Sequence, residues 1–348
     1  MSAGTYTLLD VDNNTDGPNG LPSIAGALTI NGNGSTVERG MEEGIPDFRI
    51  FHVQNTGSLI VKNLTVSNGK SAEGESGGGL YNRGTLSLSD CDVAGNRAGN
   101  GGGIYNWGVV SIANCTIDNN ETDTWGNGGG IYNAEGTMTI VNSTISGNSS
   151  SSGGGIYNSA PVTIESCTIA ENGGGFGGGG ISSPALQFLV TLEHTIVASN
   201  TAYVSPNCTR QGAVASLGYN LIGERGECGY DPDIGDIFAS NPLLGPLADN
   251  GGSSLTHALL AGSPAIDAGG NSNCPETDQR GFPRPVDGDN DGEAICDIGS
   301  FEAQRCDGDF EPDGDVDGTD LCTQAQGGTM ISDSDFSQHF GRNDCPIL

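Results

Sequence analysis

Apolar and polar residues alternate in short runs along most of this chain, as in Leu86/Leu88, Val110/Ile112, Met138/Ile140 and Val162/Ile164. That is the period of a strand with one buried face, and no helical stripe of apolar residues interrupts it through the repeated block. The runs also recur on a beat. An apolar residue behind a glycine triplet stands at Leu80, Ile104, Ile131, Ile156 and Ile181, in steps of 24, 27, 25 and 25 residues. The phrase around it barely changes from Gly77-Gly78-Gly79-Leu80-Tyr81-Asn82 through Gly101 to Asn106, Gly128 to Asn133 and Gly153 to Asn158, before decaying at Gly178-Gly179-Gly180-Ile181. A strand-like run ending in asparagine follows each triplet, at Asn96, Asn120, Asn148, Asn172 and Asn200, and another ending at Asn68 precedes the first.

Alternation repeated at this period is the mark of a solenoid, in which one turn cannot bury its apolar face without the next. Leucine-rich repeats have similar lengths, but they need a fuller leucine frame and a convex segment that glycine triplets do not supply. The expected fold is therefore all-β, a right-handed parallel β-helix with about 24–28 residues per coil. Equivalent residues would stack about 4.8 Å apart. Leu80, Ile104, Ile131 and Ile156 then form a buried ladder, and Asn96, Asn120, Asn148 and Asn172 a ladder of side-chain amides. If Ile104 points inward, Tyr105 points outward, so Tyr81, Tyr105, Tyr132 and Tyr157 make an aromatic face with Trp107 and Trp125 nearby. Flat rings at coil spacing can stack on sugars or on one another.

Composition narrows the partners. Twelve basic against 43 acidic residues give a formal charge of −31, which excludes nucleic acid as a partner because phosphate would be repelled. No apolar run is long enough to span a bilayer. Ten cysteines are too many for an ordinary cytosolic chain and suggest export to an extracellular or cell-surface location. The expected pairing is Cys208–Cys228, Cys274–Cys296 and Cys306–Cys345, although spacing alone does not fix connectivity. Cys91, Cys115 and Cys167 instead occupy one equivalent position in their coils and read as small buried residues. Neither a basic n-region nor an apolar h-region opens the chain at Met1, so an exported protein would here be a mature form or a fragment.

The acidic charge gathers late. Sixteen carboxylates and three arginines lie between Asp267 and Asp320. Within that stretch Asp309, Glu311, Asp313, Asp315, Asp317 and Asp320, with a turn glycine at Gly314 and an apolar residue at Val316, have the frame of a 12-residue calcium loop. So many carboxylates repel one another unless a hard cation neutralises them. Asp287, Asp289 and Asp291 repeat the first half of that frame and form a weaker calcium candidate. The loop beginning at Asp309 resembles those of type I dockerins in placing Asp rather than Glu at its last position. A dockerin has two loops, and here Gln324, Gln326 and Gly328 stand where ligands of the second are needed, so a cohesin-type partner is not expected.

Several segments together resemble the choice-of-anchor Q domain proteins of bacterial surfaces: Gly218-Tyr219-Asn220-Leu221-Ile222-Gly223, Thr256-His257-Ala258-Leu259-Leu260, Gly262-Ser263-Pro264-Ala265-Ile266-Asp267-Ala268-Gly269, Asp278-Gln279-Arg280-Gly281 and Cys296-Asp297-Ile298-Gly299. The glycine-triplet phrases are also similar to polymorphic outer-membrane protein repeats. This resemblance implies an exported β-helix whose C-terminal sorting module varies among members, here apparently without that family's first coil, and it does not imply an enzyme activity. The expected organisation is coils over 1–235, a loop-rich, disulfide-tied cap over 236–303 and a small α-helical, EF-hand or dockerin-like tail over 304–348.

The function expected is adhesion, carbohydrate binding or structure at the cell surface. Two rivals remain. A polysaccharide lyase or glycoside hydrolase would need clustered carboxylates, for which Asp118, Glu121 and Asp123 beside Trp125 are the one candidate corner. A self-assembling fibre would use exposed coil edges. His52, His194, His257 and His339 lack metal-ligand spacing, and the sequence gives no Ser-His-Asp arrangement.

Overall fold

The computed structural model describes residues 1–184, 190–209, 214–224, 229–289 and 291–304. These form a parallel β-solenoid of about eight turns with no helix. One coil shows how the sequence makes it. Ile104–Asn106 is a short strand, Val109–Ala113 a longer one, Thr116–Asp118 a third and Glu121–Thr122 a fourth. The chain turns between the second and third at Asn114 and between the third and fourth at Asn119, with φ of 54° and 52°. Asparagine tolerates this left-handed conformation because its side chain bonds locally.

Each strand pairs in parallel with its equivalents one coil before and after, as Ile131 does with Ile104 and Ile156, and Ile140 with Ile112 and Ile164. The result is a 17-stranded sheet carrying two strands per coil, a six-stranded sheet built from the triplet phrases, and a narrow five-stranded sheet. Stacked Leu80, Ile104, Ile131, Ile156 and Ile181 are fully buried at the centre of one continuous core. The triplets are needed where coils meet. Gly101 has φ +58°, a Cβ on Gly102 would strike the Glu121 carbonyl oxygen, and one on Gly103 would lie 2.7 Å from that of Gly130.

Two amide ladders tie the coils. Asn96 Nδ2 donates to Asn120 Oδ1 at 2.9 Å, and the pattern continues from Asn120 to Asn148, Asn172 and Asn200. The last asparagine of each triplet phrase makes a second ladder, Asn82 to Asn106 to Asn133 to Asn158, at 2.8–2.9 Å. The cysteines at the equivalent position are buried and free, as expected of small core residues.

Beyond the coils the chain turns back as a strap along the outer face of the long sheet. It begins with an antiparallel pair, Leu244–Ala248 with Thr256–Leu259. The threonines facing out of successive coils hold it: Thr116 Oγ1 donates to Leu255 O at 2.6 Å, Thr144 Oγ1 to Gln279 Oε1 at 2.7 Å, and Ser300 N donates to Thr168 Oγ1 at 3.1 Å. His257 Nε2 meets Ser146 Oγ at 2.9 Å. Ala258, Leu259, Ile298 and Phe301 form a second small core with Ile196 and Leu221. Inside the strap Arg280 pairs with Asp278 at 2.8 Å, both side chains inaccessible to solvent, and the expected Cys274–Cys296 disulfide is present. Cys228, Cys306, Cys345 and the whole calcium loop of Asp309 to Asp320 lie outside the described residues, as does nearly all of the expected helical tail.

Candidate functional site

A groove of about 730 Å³ opens where the narrow sheet turns into the triplet sheet, across the first coils. Asp47, Lys70, Glu73, Arg97, Asp123 and Trp125 are among the residues lining it. Lys70, Arg97 and Glu121 are stacked on successive coils by parallel pairing, so the solenoid itself brings these charges together. Lys70 Nζ lies 3.0 Å from Asp47 Oδ2. The Arg97 guanidinium bridges two acids, with Nη1 at 2.8 Å from Glu121 and Nε at 2.9 Å from Asp123. These pairs are near half-exposed, and such pairs contribute only about 0–1 kcal/mol to stability. The Arg97 guanidinium is planar and presents its donors in a fixed fork, so both acids are held at one place on the groove wall.

Trp125 closes the groove. Its indole is 72% exposed although its backbone sits at φ +74°, a left-handed conformation that costs a bulky residue roughly 1–2 kcal/mol. Among the described residues its ring contact is Phe176, itself 57% exposed, stacked at 5.6 Å with an interplanar angle of 11°. Beyond Phe176 a second groove of about 480 Å³ continues past Tyr157, Ser182 and Thr209.

The residues singled out from the sequence fall in several places. The tyrosines do form a ladder, with ring centroids 5.2, 5.1 and 4.8 Å apart from Tyr81 through Tyr105 and Tyr132 to Tyr157. The faces between them are spent on one another and Arg49 covers the outer face of Tyr81 at 4.8 Å, while Tyr157 at the end of the ladder borders the second groove. Trp107 packs edge-on against Tyr105. Of the six aromatic residues, Trp125 is the one that presents a ring to the groove. Glu121 and Asp123 meet on Arg97, whereas Asp118 is buried on the long sheet, in the coil after Asp92. The carboxylate cluster expected at that corner is thus divided between two faces. Lys70 and Arg97, which show no shared face with acids in the sequence, are stacked with Glu121 by the coils, and Phe176 joins Trp125. The signal for Arg97 was its place in the coil, since it and Glu121 each follow a ladder asparagine, whereas Gly69 stands between Asn68 and Lys70.

Asp287 and Asp289 come together, but their third partner is Asp267, with one oxygen of each within 4.8 Å of the others. The Asp291 carboxylate instead accepts from Glu293 N at 2.8 Å. Oxygens at that separation can all touch one calcium ion at its usual distance of about 2.4 Å. At the first coils the structure also places Ser23 Oγ 2.8 Å from His52 Nδ1, and Asp16 Oδ2 3.2 Å from His52 Nε2. Ser23 also lies 2.8 Å from Asn13 Oδ1 and His52 is fully buried, so this relay ties the first residues to the coils. Burial, with Arg49 next in weight, holds the His52 pKa below the usual histidine range.

Asp92 carries the clearest pH dependence. Burial first, and the neighbouring Asp118 second, push its carboxyl up to about 7, against the lowering effect of the Thr116 and Thr65 hydroxyls. The folded state therefore keeps a proton that the unfolded chain releases near pH 4. This favours folding below about pH 4 and is lost as pH rises through about 7. Asp92→Asn should accordingly melt with the wild type at pH 3 and be more stable by ~1–3 kcal/mol at pH 8. Equal melting temperatures at pH 8 would remove Asp92 as the cause.

Residues 49–215 match the family model described as the right handed beta helix region, which covers most of the coils and the whole of the first groove except Asp47. Together with the parallel solenoid, this match supports a right-handed β-helix protein. Neither the curated proteins nor the solved structures give a match to the chain. Among the described residues no helix is long and apolar enough to cross a membrane.

Proposed function

We propose that this protein is a secreted or cell-surface β-helix that binds carbohydrate in the groove closed by Trp125, without turning it over. The observation that carries the reading is Trp125 itself: a large ring held exposed, at a cost in backbone strain, beside fixed pairs of charged donors and acceptors. Aromatic faces bind the apolar faces of sugar rings, and Arg–carboxylate pairs bind their hydroxyls. The resemblance to choice-of-anchor Q domain proteins accords with this reading. Calcium is proposed for the loop from Asp309 to Asp320 on its sequence frame, and the Asp267, Asp287 and Asp289 oxygens suit the same ion.

Hydrolysis is the poorer account of the groove. Glycosidases need one protonated and one ionised carboxyl facing a common bond, and both Glu121 and Asp123 are committed to the same guanidinium. The test is retention of the protein on a panel of immobilised polysaccharides, with assays for new reducing ends and unsaturated products. Retention by at least one polymer, weakened about tenfold by Arg97→Ala, is expected without product. Release of product that stops in Asp123→Asn would replace this reading with an enzymatic one. Melting the protein in calcium and in chelator checks the ion, since bound calcium must raise the transition.

A further inference from the structure

Resting on the carbohydrate reading above, we infer that the ligand is a linear, uncharged polysaccharide lying parallel to the solenoid axis and crossing both grooves. The two grooves share the same corner of the fold and meet at the Trp125–Phe176 pair, Trp125 lining the first and Phe176 the second. Asn127, at the head of the second groove, pairs with Ser152 of the next coil, so the second lining also advances coil by coil. Successive coils rise by about 4.8 Å, close to the length of one sugar unit in an extended chain. A polymer laid along the axis therefore meets a new coil with each unit, beginning with Lys70 and Arg97, which line the first groove on successive coils. A single terminal sugar would use one coil and leave the remainder of this surface idle.

Charge decides between polymers. The two cations lining the first groove, Lys70 and Arg97, are each neutralised by Asp47 or by Glu121 and Asp123, and Glu73 adds a further acid. The chain as a whole carries −31. A polyuronate would be repelled from this surface, whereas hydroxyl groups can insert among the paired donors and acceptors. The second groove is lined by Ser182, Thr209, Tyr157 and Phe176, none of them ionised at neutral pH.

The experiment is calorimetric titration with cello-, xylo-, manno- and laminari-oligosaccharides from dimer to hexamer, and with polygalacturonate. In at least one neutral series affinity should rise about tenfold or more from dimer to hexamer. Phe176→Ala should lower hexamer affinity about tenfold and dimer affinity by much less, while Trp125→Asn lowers both alike. Asparagine accepts the left-handed backbone at that position, so an unchanged melting temperature separates lost contact from lost fold. Affinity that is flat with length, or polygalacturonate bound more tightly than every neutral series, overturns this inference but leaves the carbohydrate reading standing. Absence of binding to every saccharide overturns both.

Discussion

Alanine at Asn148 is expected to destabilise the protein by ~3–6 kcal/mol, lowering its melting temperature by roughly 10 °C or more. This side chain is fully buried in the middle of the first amide ladder. Its Oδ1 accepts from Asn120 N and Asn120 Nδ2, both at 2.9 Å. Its Nδ2 donates to Ile117 O at 2.8 Å, Ser146 O at 3.0 Å and Asn172 Oδ1 at 2.9 Å. Truncation leaves two donors on Asn120 and the carbonyl of Ile117 without these partners, in a place water does not reach. Each such orphan costs about 1–3 kcal/mol. Aspartate should fare no better, because a carboxylate cannot donate to Ile117 O. The same change at Asn96, whose Oδ1 accepts from Gly69 N at 2.9 Å and from no asparagine side chain, removes fewer bonds and should cost less. Stability in a solenoid is a sum over neighbouring coils, so Asn148→Ala also weakens the coupling between the two halves and should broaden the transition. An Asn148→Ala protein that melts within a degree or two of the wild type, with the same sharpness, would show that the ladder decorates the fold rather than holding it.

The coils were legible because their information is local and repeated. Alternation in Val110/Ile112 gives a strand, the triplet before Ile104 gives a corner, and recurrence fixes the register. The amide ladder could be read the same way, since Asn96, Asn120, Asn148 and Asn172 keep the beat. What a period cannot convey is which side of a ring is used. The four tyrosines read as a possible binding face, and only their mutual stacking shows that one tyrosine covers the next. The groove was illegible for a related reason: Lys70, Arg97 and Glu121 are 27 and 24 residues apart and different in charge, so they look unrelated until the coils stack them. Asp118 was misplaced by three residues of sequence. Asn119, at φ +52°, turns the chain between it and Glu121, and the two acids face different directions. The disulfide-tied cap over 236–303 was expected, but its course along the outer face of the coils was hidden, because contacts such as Thr144 with Gln279 link residues 135 apart and repeat nothing.

Removing the Arg280 guanidinium is expected to cost ~3–5 kcal/mol and to free the strap before the coils. The side chain is inserted between aromatic rings, 3.5 Å from the centroid of Phe301 and 4.5 Å from that of Phe282. Its Nε donates to Asp278 Oδ2 at 2.8 Å and its Nη2 to Glu302 O at 2.6 Å. Asp278 is fully buried and also accepts from the backbone N–H groups of Arg280, Phe282 and Glu302. In Arg280→Met the apolar stem remains but a buried carboxylate loses its counter-ion, which is the costly way to break such a pair. Adding Asp278→Asn should restore part of the loss, because the orphaned charge is gone while the turn can still be held through the amide oxygen. The strap meets the coils chiefly through hydroxyl bonds from Thr116, Thr144 and Thr168 and a small second core, so its opening need not unwind the solenoid. Hydrogen exchange should therefore quicken between Leu244 and Ala303 in Arg280→Met while Ile131–Asn133 and Ile156–Asn158 keep their protection. Equal quickening in coils and strap would mean that the two unfold as one unit. Unchanged exchange in both would mean that the ion pair contributes nothing to holding the strap on the face it covers.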